Sequence, residues 1–278
     1  MGKGIEMLYA DSDKRIESIT QTAELFKSKG YHATAKEILT FVEILKGDAV
    51  PADFLKKLDA LFDLHQKEFE AELPVGQDFR KRCFEEIKEI VFKAISRLNG
   101  DYAKTIITIH PLLVRLNISN KVTGSIADEL ANNKITDQNV VFHLRCYAYL
   151  VFMEGVFDEL ARVLYFMAVA DRNNVPKLAD LEKMTVWEIL GNLKNTHVFL
   201  ERWEEKKHIR NAIGHARASY DISKNIVRFV DQNWDSGNIS IDQFAQMALE
   251  LEDSLTAFLN IFLLLKIFDF VAAANAYA

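Results

Sequence analysis

The sequence predicts an all-α fold, and three observations carry that reading. Glycine and proline are scarce, 11 and 4 in 278 residues. Hydrophobic residues make up 49% of the chain, and along most of its length they return every three or four positions, the period of a helix with one buried face. The length allows one large or two modest domains, each with a core of its own. The pattern divides into an N-terminal helical domain, 1–135, and a C-terminal helical bundle, 136–278, that carries a small β-hairpin.

The first helix is expected over Asp11 to Lys29, with Ile16, Ile19, Ala23 and Phe26 at helical spacing and a stop at Gly30. Thr34 to Leu45 follows, stopping near Gly47. Pro51 opens a third helix whose apolar stripe (Phe54, Leu55, Leu58, Leu61, Phe62, Phe69) ends at Pro74-Val75-Gly76, and Phe79 to Leu98 repeats the pattern up to Asn99-Gly100. Two helical hairpins of similar size result, without the repeated signature residues of a solenoid. Ile106-Ile107-Thr108-Ile109 has the composition of a strand, but so short an apolar run does not separate strand from buried helix. A helix kinked at His110-Pro111 is expected there, then a short helix over Thr123 to Asn133 and a hinge at Asn132-Asn133-Lys134.

Gln138 to Asp171 reads as a long helix, apolar around most of its circumference, as a central element would be. Glu154, Asp158 and Arg162 recur on it at steps of four, a single polar stripe. Either Asp158 pairs with Arg162 within the helix, or Glu154 reaches out to orient Arg210 or His215. Thr185-Val186-Trp187-Glu188 is a capping box that opens a helix to about Asn195, and a further helix is expected over Val198 to Gly214. Tyr220-Asp221-Ile222 and Ile226 to Val230 flank a Ser223-Lys224-Asn225 turn as a hairpin. Ser240-Ile241-Asp242-Gln243, a second capping box, begins the final helix.

Composition narrows the function classes. Cys83 and Cys146 stand far apart without Cys-x-x-Cys spacing, so two buried thiols in a reducing compartment are expected rather than a zinc site. Met1 to Ala10 runs at once into Asp11-Ser12-Asp13-Lys14-Arg15, no secretory signal, and a cytoplasmic location is expected. The nearest approach to a membrane span, Leu255 to Ala278, is interrupted by Lys266 and Asp269, so no membrane is expected. A net charge of −6 speaks against nucleic-acid binding by the whole surface. Locally the balance reverses, because Arg202 to Arg228 holds seven basic residues against three acids.

That basic stretch contains Arg210-Asn211-Ala212-Ile213-Gly214-His215. Arg210 offers a permanent charge and a planar fork of donors suited to phosphate oxygens, and His215 can give or take a proton near neutrality. In a continuous helix these two side chains would stand roughly 140° apart. Gly214 is expected to take the left-handed conformation that ends the helix and to swing the imidazole back.

Arg210-Asn211-x3-His215, at the end of a helix before a hairpin, resembles the Arg-x4-6-His signature of the HEPN superfamily, with that family's polar residue directly after the arginine. The resemblance covers about 137–277. It implies a helical bundle and a metal-independent endoribonuclease of the toxin or antiviral-defence kind. Its catalytic residues would be Arg210, His215 and Asn211, and an acid on the facing helix, here Glu154, often accompanies them. It also implies a composite site, hence a homodimer through the C-terminal half, and for a toxin an antitoxin or regulatory protein. The tyrosine that some family toxins carry two residues after the histidine is replaced by Arg217, with Tyr220 further on. Lys206, Lys207, Arg217 and Arg228 are the residues expected to hold RNA.

No Walker loop, dinucleotide fingerprint, nucleophile elbow or His-Glu-x-x-His appears, and neither a cofactor nor a metal is expected. His208 and His215 share a helical spacing of seven but lack a third ligand. Two other readings stand beside the nuclease: a non-catalytic module that binds RNA or a nucleotide with the same residues, and a helical scaffold in which Arg210 pairs with an acid such as Glu154 and His215 ends a helix.

Overall fold

The computed structural model describes residues 12–45, 54–71, 78–98, 102–132, 135–171, 173–193 and 203–277. The chain is predominantly helical, with a small antiparallel sheet near the C-terminus. The expected turn signals at Gly47, Pro51, Pro74-Val75-Gly76 and Asn99-Gly100, the hinge at Asn133-Lys134 and the stretch from Val198 to Arg202 lie outside the described residues.

Four helices make up the first part: α1 (Ser12–Ser28), α2 (His32–Leu45), α3 (Phe54–Ala71) and α4 (Asp78–Leu98). α1 stops as expected, because Gly30 takes a left-handed φ of 92° while the Tyr31 amide donates to Phe26 and the Gly30 amide to Lys27. At the start of α2 the Glu68 carboxylate accepts from the amides of Ala33 and Thr34, both at 2.7 Å, so an α3 side chain closes an end that lacks an acidic residue of its own.

The two helices expected here, one around His110-Pro111 and a short one from Thr123, are a single helix, α5 (Tyr102–Asn132), which runs through Pro111. The proline forfeits one intrahelical hydrogen bond, and apolar side chains on both sides of it, Ile109, Leu112 and Leu116, stay buried, so packing outweighs the local preference for a break. Next comes the central run: α6 (Gln138–Val151), a π-helical segment (Phe152–Phe157) and α7 (Asp158–Val169). Phe157, Leu160, Leu164 and Phe166 are fully buried. This run, Gln138–Val169, rather than Leu255 to Ala278, is the one long and apolar enough by length and composition to span a bilayer among the described residues. Here it packs against α4, α5 and the final helix as a core element.

Two short helices, α8 (Leu178–Lys183) and α9 (Val186–Leu193), lead to the motif helix α10 (Trp203–Gly214). The Thr185 capping box forms: Thr185 N donates to Glu188 at 2.7 Å, and the Glu188 amide donates to the Thr185 hydroxyl at 3.3 Å. β1 (Ala218–Asp221) and β2 (Ile226–Asp231) pair as the expected hairpin. Two short strands were not expected, β3 (Trp234–Asp235) and β4 (Ile239–Ser240), and both pair with β2. Ser240 and Gln243 then cap α11 (Ile241–Tyr277) reciprocally, at 2.8 and 3.1 Å.

Buried side chains on both sides of residue 135 belong to one cluster. Arg80 on α4 donates to Asp253 on α11 at 2.6 Å, and Arg97 donates to the carbonyls of Met167 and Ala168, closing the C-terminus of α7. Cys83 and Cys146 are buried free thiols, and burial pushes both up to about 12. Gly155, in the π segment, faces α5 so closely that a Cβ there would lie 2.8 Å from Ser119 Cβ and nearer still to its hydroxyl.

Candidate functional site

The helix α10 carries the motif without a break through Gly214, and the left-handed residue is Ala216, with φ 53°. The Arg217 amide donates to Ala212 at 2.7 Å and the Ala216 amide to Ile213 at 3.0 Å, a closed helix end in which His215 is the last half-helical residue. The expected role of Gly214 is thereby corrected. Because the helix is continuous past Arg210, the imidazole is not swung back toward the guanidinium. His208, Asn211 and His215, spaced by three and four, share one face of α10, whereas Lys207 and Arg210 share another.

The first face lies over the sheet, and its centre is a carboxylate that sequence reasoning missed. Asp231, at the end of β2, is only 3% exposed. One of its oxygens, Oδ2, accepts from His208 Nδ1 at 2.8 Å and from Asn211 Nδ2 at 2.9 Å. Burial by itself would push this carboxyl up. The hydrogen bonds from His208 and Asn211, with the charges of His208 and His215, outweigh that and hold it below its usual range. An ionised carboxylate only accepts, so Nδ1 of His208 is the protonated nitrogen and Nε2 points elsewhere. The tight turn from β2 to β3 sets Trp234 opposite Asp231 in register, and the indole stacks on the His208 ring at 5.0 Å and 11°. His208 is thus fixed by a hydrogen bond at its edge and an aromatic plane on its face.

The second face looks onto the central run. Arg210 forms an ion pair with Glu154 of the π segment, and its guanidinium donates to Asn211 Oδ1 at 2.7 Å. Asn211 therefore joins the two faces, accepting from Arg210 and donating to Asp231. A cleft of about 200 Å³ opens here, lined by Met153, Glu154, Asp158, Arg162, Val186, Lys207 and Arg210. Both readings of the polar stripe hold together in it, since Arg162 pairs with Asp158 and also donates to the carbonyls of Leu181 and Met184.

The residues expected to hold RNA separate. Lys207 lines the cleft, and Arg217 is exposed at the end of α10. Arg228 is exposed on the hairpin but engaged by Asp235, whose oxygens accept from its Nε at 2.9 and 3.0 Å, and that pairing, with the Gly237 amide, brings Asp235 down to about 2. Lys206 does not belong to this surface. It is 1% exposed, its Nζ 2.9 Å from Glu250 and 5.4 Å from the centre of the Phe79 ring, because it lies on the side of α10 that packs into the core. The sequence did hold a signal for one missing member: His208 precedes His215 by two turns on one face.

Among the described residues, no group of three or more His, Cys, Asp or Glu side chains is placed to hold a metal ion. Comparisons of the chain with protein-family models, with curated proteins and with solved structures give no match.

Proposed function

We propose that this chain is an endoribonuclease that cleaves RNA by attack of the 2′-hydroxyl on the adjacent phosphate, without a metal. The observation that carries the reading is the Asn211 side chain, which ties Arg210 to the buried Asp231, with His208 on the same oxygen and His215 on the same helix face. A fixed cation and ionisable imidazoles are what phosphodiester transesterification needs, one to hold the phosphate oxygens and the others to move protons. Arg217 and Lys207 supply further positive charge on either side. The two carboxylates that flank the motif, Glu154 and Asp231, are each engaged by side chains of α10 and lie on different faces of it, an arrangement that positions groups rather than gathers ligands.

The resemblance to HEPN domains agrees with this reading. The test is RNA incubated with the purified chain and with His215→Ala and Arg210→Lys. Cleavage that survives EDTA, spares DNA and leaves 2′,3′-cyclic phosphate and 5′-hydroxyl ends is expected. His215→Ala should slow it by on the order of 10²–10⁴ as a lost general acid or base. Arg210→Lys should fail as well, since an ammonium keeps the charge and loses the planar fork.

One observation favours a second reading. Arg210 is already paired with Glu154 and His215 ends a helix, the two features of a scaffold. In that case Glu154→Gln lowers the melting temperature and no variant of the motif changes RNA cleavage or binding. In the nuclease reading Glu154→Gln frees the guanidinium and tightens RNA binding.

A further inference from the structure

From the anchoring of His208, we infer that the site holds both of its proton-transfer groups in one chain, His208 being the second beside His215. This rests on the nuclease reading above and extends it. Three features single out His208. Its Nδ1 is committed to a carboxylate that is 3% exposed, so only Nε2 is left to exchange a proton with substrate. The ring is stacked on Trp234 at 11°, which fixes the direction of Nε2. Its side chain is 27% exposed, so the ring is held by the fold and still open to solvent. A histidine that served packing alone would need neither the buried acid nor the open edge; the core histidine His65, by contrast, is 0% exposed.

His208 and His215 stand two turns apart on the same face of α10, roughly 10 Å along its axis, and the charges of both act on Asp231. In the step this supports, one imidazole takes the proton of the 2′-hydroxyl as the 2′-oxygen bonds to phosphorus. The other gives a proton to the 5′-oxygen as its bond to phosphorus breaks. One proton is accepted and one donated, and no other reagent enters. Asp231 touches no reacting atom; it positions His208 and, through Asn211, Arg210. A second copy of the motif, which the family resemblance implies, is then unnecessary for proton transfer.

The experiment is single-turnover RNA cleavage by the full chain and by His208→Gln, His208→Ala and Asp231→Asn, across pH, with melting curves for each. The wild-type profile should be bell-shaped. His208→Gln should slow cleavage by on the order of 10²–10⁴ with RNA affinity kept, and reduce the bell to a single limb. Added imidazole should restore part of the rate to His208→Ala, which a purely structural role would not allow. Asp231→Asn should lose less, because the imidazole remains. A second measurement needs no substitution: in the wild type, binding of an RNA analogue lacking the scissile 2′-hydroxyl should shift the Nε2 resonance of His208. If the wild type cleaves and His208→Gln cleaves as fast with an intact bell, or if Nε2 is unmoved on binding, this inference is overturned and the nuclease reading stands. A wild type that does not cleave at all overturns the nuclease reading, and this inference with it.

Discussion

Helices α1 and α10 end in the same pair of backbone hydrogen bonds, Tyr31 to Phe26 with Gly30 to Lys27 in one, Arg217 to Ala212 with Ala216 to Ile213 in the other. What surrounds them differs. At the end of α1 the left-handed residue is glycine, and Tyr31 packs back onto Phe26 with ring centres 5.9 Å apart, the apolar contact that usually completes this motif. His65 lies beneath, its ring 4.7 Å from Phe26, 4.9 Å from Tyr31 and 5.7 Å from Phe84. At the end of α10 the left-handed residue is alanine, the position of Tyr31 is taken by an exposed arginine, and His215 stands open to water. One end is built for stability. The other gives up both the glycine and the apolar contact and displays a cation and an imidazole, a local departure from stability rules of the kind that functional sites show.

The largest difference to test is acid sensitivity. Burial drives His65 down to about 4 from 6.5, with Glu68 opposing and Lys29 assisting. The folded state therefore binds fewer protons than the unfolded chain between these values. The contribution of a neutral His65 is complete above about pH 6.5 and is lost as pH falls toward 4, by about 3 kcal/mol in all. Urea midpoints between pH 7 and 4.5 should fall accordingly, and His65→Phe should flatten the dependence; an equal slope in that variant would remove the argument. Next in size is an exchange of turn residues. Gly30→Ala should cost about 1–2 kcal/mol at a φ of 92°, whereas Ala216→Gly should stabilise by up to about 1 kcal/mol. Equal effects of both on the melting temperature would mean that the two ends are not comparable. Smallest is Gly214→Ala. The nearest atom to an added Cβ is Leu150 Cδ2 at 4.0 Å, so the change should be neutral or stabilise by about 0.5–1 kcal/mol. A clear loss of stability there would restore Gly214 as the turn residue.

That last position shows where reading the sequence succeeds and where it fails. Gly30 and Gly214 look alike in the sequence, each a glycine after a helical pattern, yet only the first takes the left-handed conformation, because the hydrogen bonds of the second end close two residues later. The helical pattern, both capping boxes and the β1–β2 hairpin were legible because they rest on spacing within a few residues. Glu154 beside Arg210 was legible as one of two readings of the polar stripe, although at 53% side-chain exposure burial does not force the pairing. Asp231 was not. Its role comes from a β2–β3 turn only two residues long, which sets it in register with Trp234 and brings both under α10, and no local pattern announces that meeting. Lys206 failed for the opposite reason: a lysine in a basic run reads as surface, and only packing against Phe79 and Glu250 places it inside.

The π segment at Phe152–Phe157 has a genetic meaning as well as a geometric one. A π turn is an α-helix carrying one residue too many, so the central run contains a surplus position held open by its neighbours. Deleting a single residue there would let the helix close into a regular one with α6 and α7 kept near their present phase, because the π turn is what absorbs the surplus residue. The Asp158–Arg162 pair lies wholly on the α7 side and would stay intact. The change would be confined to the segment itself, where Glu154 faces the cleft and where Gly155 leaves α5 no room for a side chain. The helix itself would be more regular, and the bulge that presents Glu154 to Arg210 would be gone. A change of length by one residue, and not only an exchange of side chains, therefore reaches the Glu154–Arg210 pair.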